Sequence, residues 1–168
     1  MIIKVCGMRD SRNIQEVSAL AVNWIGLIFY ERSPRFIGQS PTKQWTVDSG
    51  QLTVKYRLSQ LSTVNCQLST KKVGVFVNAT IESMMENLQL HGNESPEDCH
   101  TLQKRGYSLI KAFPIATKED FEKTREYEGR VDYFLFDTRC EGYGGSGKRF
   151  DWSILTEYKG ETPFLLSG

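Results

Sequence analysis

The sequence predicts an α/β fold built on parallel strands, and the pattern within those strands suits a closed barrel better than an open sheet. Short β-type runs recur along the 168 residues with helix-type segments between them, the alternation that produces parallel sheets. Within the runs one face is apolar while the other turns polar toward the C-terminal end. Several runs also finish at a glycine or a polar turn, which is where α/β enzymes place their working side chains.

The strands are expected at residues 2–6, 24–29, 72–77, 87–91, 107–113, 131–137 and 163–167. Period-2 geometry puts Ile3 and Val5 on one face of the first and Lys4 and Cys6 on the other. In the fourth, Leu88 and Leu90 oppose Gln89 and His91; in the sixth, Phe134 and Phe136 oppose Leu135 and Asp137. A barrel explains this, because its outer face packs on helices while inward side chains near the C-terminal rim meet solvent or ligand. An open doubly wound sheet is apolar on both faces. Lys4 and Gln89 can equally be polar residues of a barrel interior, paired with neighbours.

Helix signals fill the gaps. Residues 11–21 place Ile14, Val17, Leu20 and Ala21 on one face. Ser95-Pro96-Glu97-Asp98 puts a capping serine before a first-turn proline, and Thr117-Lys118-Glu119-Asp120 resembles a capping box. Gly106 and Gly129 stand where those two helices should stop. Two stretches fit less well. Residues 39–71 are polar and irregular, consistent with a helix plus an insertion or with a β-like excursion. Residues 79–86 are too few for an ordinary parallel crossover, which needs about ten to twelve.

Composition bounds the function classes. The chain is 39% hydrophobic and 24% charged, with a net charge of +1, ordinary for one domain spanning 1–168 and without a field that would attract nucleic acid. No apolar run approaches the roughly 18 residues of a membrane span, and the N-terminus runs straight into a strand, so a cytoplasmic protein is expected. Cys6, Cys66, Cys99 and Cys140 form no CxxC pair, and His91 and His100 do not join them at metal-binding spacing. No metal site and no disulfide framework are therefore expected.

Two segments carry chemistry. Val5-Cys6-Gly7 ends a strand on a thiol followed by a glycine turn. Phe136-Asp137 ends another on a carboxyl, and the loop beyond runs Gly142-Tyr143-Gly144-Gly145-Ser146-Gly147-Lys148-Arg149. Residues 142–148 satisfy G-x-x-x-x-G-K, but Arg149 stands where a P-loop needs the Ser or Thr that binds magnesium. A mobile loop closing over a ligand, with Lys148 near an anion, suits these glycines better than nucleotide hydrolysis does.

Taken in order, Lys4-Val5-Cys6-Gly7-Met8, Ser33-Pro34-Arg35, Val73-Gly74-Val75-Phe76-Val77-Asn78, Leu88-Gln89-Leu90-His91-Gly92, Phe136-Asp137, and Gly144-Gly145-Ser146-Gly147-Lys148 with Phe150-Asp151-Trp152 resemble the phosphoribosylanthranilate isomerase family across nearly the whole chain. The resemblance implies a (β/α)8 TIM barrel of the ribulose-phosphate-binding kind. It also implies an aldose-ketose isomerase (an intramolecular oxidoreductase) of tryptophan biosynthesis that works without a cofactor. The reaction is the Amadori rearrangement of N-(5-phosphoribosyl)anthranilate to 1-(2-carboxyphenylamino)-1-deoxyribulose 5-phosphate.

That reaction needs an acid to protonate the furanose ring oxygen and a base to take the proton from C2 of the resulting Schiff base. By resemblance Asp137 is the acid and Cys6 the base. Asp137 must then hold a proton near neutral pH and Cys6 must act as thiolate, against reference values of about 3.9 and 8.5. The apolar run before Asp137 is expected to raise its pKa, and Lys4, on the same strand face as Cys6, to favour the thiolate. The resemblance further points to Arg35 for the anthranilate carboxylate, in a forked geometry that lysine could not reproduce. It gives Gln89 and His91 to the cavity wall, and Gly144, Gly145, Lys148, Ser167 and Gly168 to substrate binding, the last two as part of a phosphate site.

The partner implied is a small phosphorylated molecule, bound by a monomer or homodimer without nucleic acid or membrane. The sequence reaches a seventh strand and ends at Ser167-Gly168, so an eighth strand and its helix have no counterpart and the barrel is expected to be incomplete at its C-terminus. If the polypeptide stops there, an open, weakly stable barrel with little activity is expected. The alternative functions are another sugar-phosphate barrel enzyme, an inactive barrel remnant, or a module binding nucleotide phosphate through residues 142–148.

Overall fold

The computed structural model describes residues 1–37, 43–48, 51–56, 70–81, 85–138 and 152–167. The chain divides into two compact units, Met1–Val75 and Phe76–Gly168.

The first unit contains β1 (Lys4–Cys6), α1 (Ser11–Ser18), β2 (Trp24–Ile28), β3 (Lys43–Asp48), β4 (Gln51–Tyr56) and, at its end, β5 (Lys71–Phe76). β2 lies between β1 and β5 and pairs with both in parallel, with Cys6 opposite Gly26 and Leu27 opposite Gly74. The β1–β2 crossover is carried by α1, whose first turn is capped by the Asp10 carboxylate accepting from Asn13 N at 2.9 Å. Ile14 is 3% exposed, and Ile25 and Leu27, which share one face of β2, are each 1% exposed. The helix ends at Ser18, three residues short of expectation, and Leu20 therefore leaves the apolar face and is exposed. The irregular stretch 39–71 holds an antiparallel pair, β3 with β4, in register from Lys43 opposite Tyr56 to Asp48 opposite Gln51. It is thus the β-like excursion, not a crossover helix, within its described residues.

The second unit contains β6 (Asn87–Leu90), α2 (Pro96–Lys104), β7 (Ser108–Ile115), a 3-10 helix Lys118–Tyr127, β8 (Tyr133–Thr138), a 3-10 helix Trp152–Glu157 and β9 (Phe164–Ser167). Its strands pair in parallel in the order of the sequence. All seven expected strands are thus present, each paired in parallel within its unit, as an incomplete (β/α) barrel requires. Ser95 and Asp98 form the capping box of α2, each side chain accepting from the other's backbone N–H. The segment after Thr117 winds as a 3-10 helix instead of an α-helix, its start held by Asp120, which accepts from Ala116 N and Thr117 N. Gly106 and Gly129 both have left-handed φ, at 89° and 71°, as the stops they were expected to be.

The two faces of these strands differ as parity dictates. Leu88, Leu90, Leu109, Phe134 and Phe136 are all essentially inaccessible and meet the covering helices. Aromatic rings fill that layer: Phe121 meets Phe136 edge-on at 5.1 Å, and Phe113 meets Phe134 at 5.3 Å. Residues 79–81 and 85–86 form no helix, in keeping with the shortness of that connection. Among the described residues no helix is long and apolar enough to cross a membrane.

One charged residue lies inside the apolar layer. Lys111, in the middle of β7 and 2% exposed, shares its face with Leu90 and Phe134. Its ammonium reaches Glu94 Oε2 at 3.2 Å and donates to the carbonyls of Gly92 at 2.8 Å and Ala112 at 3.2 Å. Glu94 in turn accepts from Asn78 N at 2.8 Å and Gly92 N at 3.0 Å. Burial pushes the Lys111 pKa down, and the Glu94 carboxylate opposes that shift. The pair ties the turn after β6 to the middle of β7. Removing one partner strands the other's charge away from water. Lys111→Met is expected to destabilise the protein by about 3–5 kcal/mol in urea unfolding. The double variant Lys111→Met, Glu94→Gln is expected to lose less than the two single variants combined.

Candidate active site

In the first unit the site is built around Cys6, the last residue of β1. Its register partner is Gly26, and the backbone N–H groups of Gly7 and Met8 both donate to Gly26 O, at 2.9 and 3.1 Å. The glycine is needed for space. A Cβ added there would stand 2.6 Å from Cys6 Sγ and 3.0 Å from Lys4 Nζ, closer than real carbon contacts allow to the thiol. Thiol and ammonium therefore share the surface above one glycine, as the common parity of Lys4 and Cys6 predicts.

Gly7 turns the chain out of β1 with φ 82°, a conformation that costs other residues about 1–2 kcal/mol. Its bare surface also receives Arg35. A Cβ on Gly7 would lie 2.7 Å from Arg35 Cδ and 3.1 Å from both Nε and Nη1. The guanidinium thus lies against the residue next to Cys6. Two hydrogen bonds shape its loop: Arg35 N donates to Ser33 Oγ at 3.2 Å, and Arg9 Nη1 donates to Pro34 O at 2.9 Å. Sequence reading singled out neither Gly26 nor Arg9. Gly26 becomes legible only once the β1–β2 register is known.

In the second unit the site is built around Asp137, the fifth residue of β8 and 6% exposed. His91 Nε2 stands 3.5 Å from Asp137 Oδ2, and Gln89 Nε2 stands 2.8 Å from His91 Nδ1. Asp137 Oδ1 accepts from Thr138 N at 3.0 Å. Ser167, paired in register with Asp137 on β9, donates its hydroxyl to the same carboxylate. Desolvation by the surrounding strands favours the protonated form, but the hydrogen bonds and charge of His91, with those of Ser167 and Thr138 N, outweigh it. The Asp137 carboxyl is held below its ordinary value of 3.8. This reverses the direction expected from the apolar run alone, because that run says nothing about which donors the neighbouring strands bring.

The structure thus places Cys6 and Arg35 together in the first unit, and Gln89, His91, Asp137 and Ser167 together in the second. Gly144, Gly145, Lys148 and Gly168 lie outside the described residues, as do the rest of the 142–148 glycine loop, Cys66 and Cys140. Cys99 is fully buried, and burial pushes its thiol up to about 11, which leaves it unreactive. Among the described residues no group of three or more His, Cys, Asp or Glu side chains could hold a metal ion. The buried Lys111–Glu94 pair was missed from sequence. Its one signal was a lysine in the otherwise apolar run Leu109-Ile110-Lys111-Ala112-Phe113.

Residues 46–168 match the family model described as N-(5'phosphoribosyl)anthranilate (PRA) isomerase. A curated N-(5'-phosphoribosyl)anthranilate isomerase of Parabacteroides distasonis is 75% identical, in a match covering all of this chain and 72% of that protein. The corresponding protein of Phocaeicola vulgatus is 42% identical over all of this chain and 75% of its own length. Among solved structures, phosphoribosyl anthranilate isomerase from Thermotoga maritima superposes with a TM-score of 0.75 at 28% identity, covering 100% of this chain and 77% of that one. The fold agrees with these matches, and the chain belongs to the N-(5'-phosphoribosyl)anthranilate isomerase family.

Proposed function

We propose that this chain isomerises N-(5-phosphoribosyl)anthranilate to 1-(2-carboxyphenylamino)-1-deoxyribulose 5-phosphate in tryptophan biosynthesis. The observation that carries this reading is the match, along the entire chain, to curated isomerases of that name. The strand-end groups fit the chemistry. Asp137 delivers a proton to the furanose ring oxygen, the ring opens to a Schiff base, and Cys6 takes the proton from C2 to give the enolamine. Tautomerisation then yields the ketose, and no net proton or electron is gained. Arg35, laid against Gly7 beside the base, pairs with the anthranilate carboxylate through its fork of N–H donors. Gly144, Gly145 and Lys148 are assigned to substrate binding, and Ser167 and Gly168 to the phosphate. The working form is a cytoplasmic monomer or homodimer, which sedimentation equilibrium distinguishes.

The direct test follows the loss of substrate fluorescence. Cys6→Ser and Asp137→Asn are each expected to lower kcat by about 10²- to 10⁴-fold; near-normal turnover in both sinks the assignment. Gly7→Ala is expected to raise KM while costing about 1–2 kcal/mol of stability, because the new methyl both strains the turn and displaces Arg35.

Asp137 also makes a prediction about acid stability. Its folded pKa lies below 3.8, so its contribution is fully present above that value and is lost as pH falls through the folded pKa. Urea unfolding is expected to find Asp137→Asn less stable than the parent at pH 7, with the gap closing below pH 3.8. A gap that widened on acidification would show the carboxyl to be raised instead.

A further inference from the structure

Gln89 lies on the inner face of β6, His91 follows two residues later, just past the strand's end, and Asp137 belongs to the same face of β8. β7 runs between them, so the histidine must cross a strand to reach the carboxylate, and neighbouring strands lie about 4.8 Å apart. The register shows what permits the crossing. Gln89 pairs with Ile110, Leu135 with Ala112 and Asp137 with Pro114. Ala112 and Pro114 therefore carry the shared face of β7 at the level of the bridge, and neither has a long side chain. Phe113 and Lys111, which would obstruct it, point to the other face.

Both ring nitrogens of His91 are already engaged within the protein, Nδ1 by Gln89 at 2.8 Å and Nε2 by Asp137 at 3.5 Å. An amide nitrogen can only donate, so the Nδ1 that faces it is the bare nitrogen, and in the neutral ring the proton must sit on Nε2. That nitrogen stands 3.5 Å from Oδ2. Gln89 is 2% exposed, so its amide has left water and its bond to the ring replaces one it has lost. Oδ1 meanwhile takes Thr138 N, and the Ser167 hydroxyl completes the donors around the carboxylate.

We propose that Gln89 and His91 are positioning residues for Asp137: Gln89 selects the Nε2–H tautomer of His91, and His91 fixes the orientation of the Asp137 carboxyl, with neither side chain contacting the substrate. This rests on the reading of Asp137 as the acid, and it changes the place of the two residues from cavity wall to support. Ala112 completes the device as the gap through which the bridge passes.

The experiment combines ring-nitrogen NMR with kinetics. In protein labelled with 15N-histidine, with His91 distinguished from His100 by a His100→Asn variant, the neutral form of the His91 ring is expected to show a bare Nδ1 and a protonated Nε2. Gln89→Leu is expected to erase that preference and to lower kcat about ten- to a hundredfold, with KM within about twofold. His91→Gln, whose amide nitrogen can stand near the place of Nε2, is expected to keep more of kcat than His91→Leu. The proposal is overturned by an Nδ1–H tautomer in the unaltered protein, by equal losses in the two His91 variants, or by a Gln89→Leu effect confined to KM. The tautomer measurement needs no turnover, and the His91 pair decides the matter if Gln89→Leu does not fold. Asp137→Asn separates the two levels. Near-normal turnover in that variant removes the acid assignment and this proposal with it, whereas an inactive Asp137→Asn beside a KM-only Gln89→Leu removes this proposal alone.

Discussion

A parallel strand covered by helices on one side can carry chemistry only on the other, and this constraint places almost every side chain that matters here. The outer positions of β6 and β8, Leu88, Leu90, Phe134 and Phe136, are buried to the last few per cent because the hydrophobic effect rewards each of them by roughly 25 cal/mol per Å² removed from water. With those positions fixed, the pleat leaves Gln89, His91 and Asp137 no choice of face. A slip of one residue in register would bury the carboxyl among aromatic rings and expose the phenylalanines. The same alternation puts Lys4 and Cys6 on one face of β1.

Neighbouring strands then decide what each group can do. Gly26 gives the Cys6 thiol room by having no side chain at the paired position. Asp137 lies beside Ser167 on one strand and meets His91 from two strands away. Its carboxyl ends up below its ordinary value, even though desolvation is the largest single influence on it, since donors from three directions act together. The donors around Asp137 thus favour its carboxylate form over the protonated one.

Lys111 is the exception that parity does not predict. A lysine on the helix-facing side of β7 is tolerated because Glu94, three backbone carbonyls and the faces of Phe113 and Tyr127 surround its ammonium. In return it pins the 91–95 turn, the segment that begins with His91. A hydrophobic residue would fill the space but would leave the turn without its anchor and Glu94 without its counter-charge.

The seven strands, their alternation, the Ser95 cap and the two glycine stops were legible in the sequence because each follows from local chemistry: side-chain period, a hydroxyl before a helix, a residue without Cβ. The positions of Cys6 and Asp137 at or near the ends of apolar strands were legible too, from the same alternation. The early end of α1, the hairpin inside the irregular 39–71 stretch and the 3-10 winding after Thr117 were not, since local patterns there permit more than one outcome. Register was also out of reach. Which residue stands beside Asp137, which nitrogen of His91 faces it, why residue 26 must be glycine and where Lys111 finds a counter-charge all depend on pairing between strands that are distant along the chain. The sequence by itself determined which side chains share a face; only the tertiary structure decided which of them meet, because a strand's own pleat sets direction while contact requires the register of its neighbours.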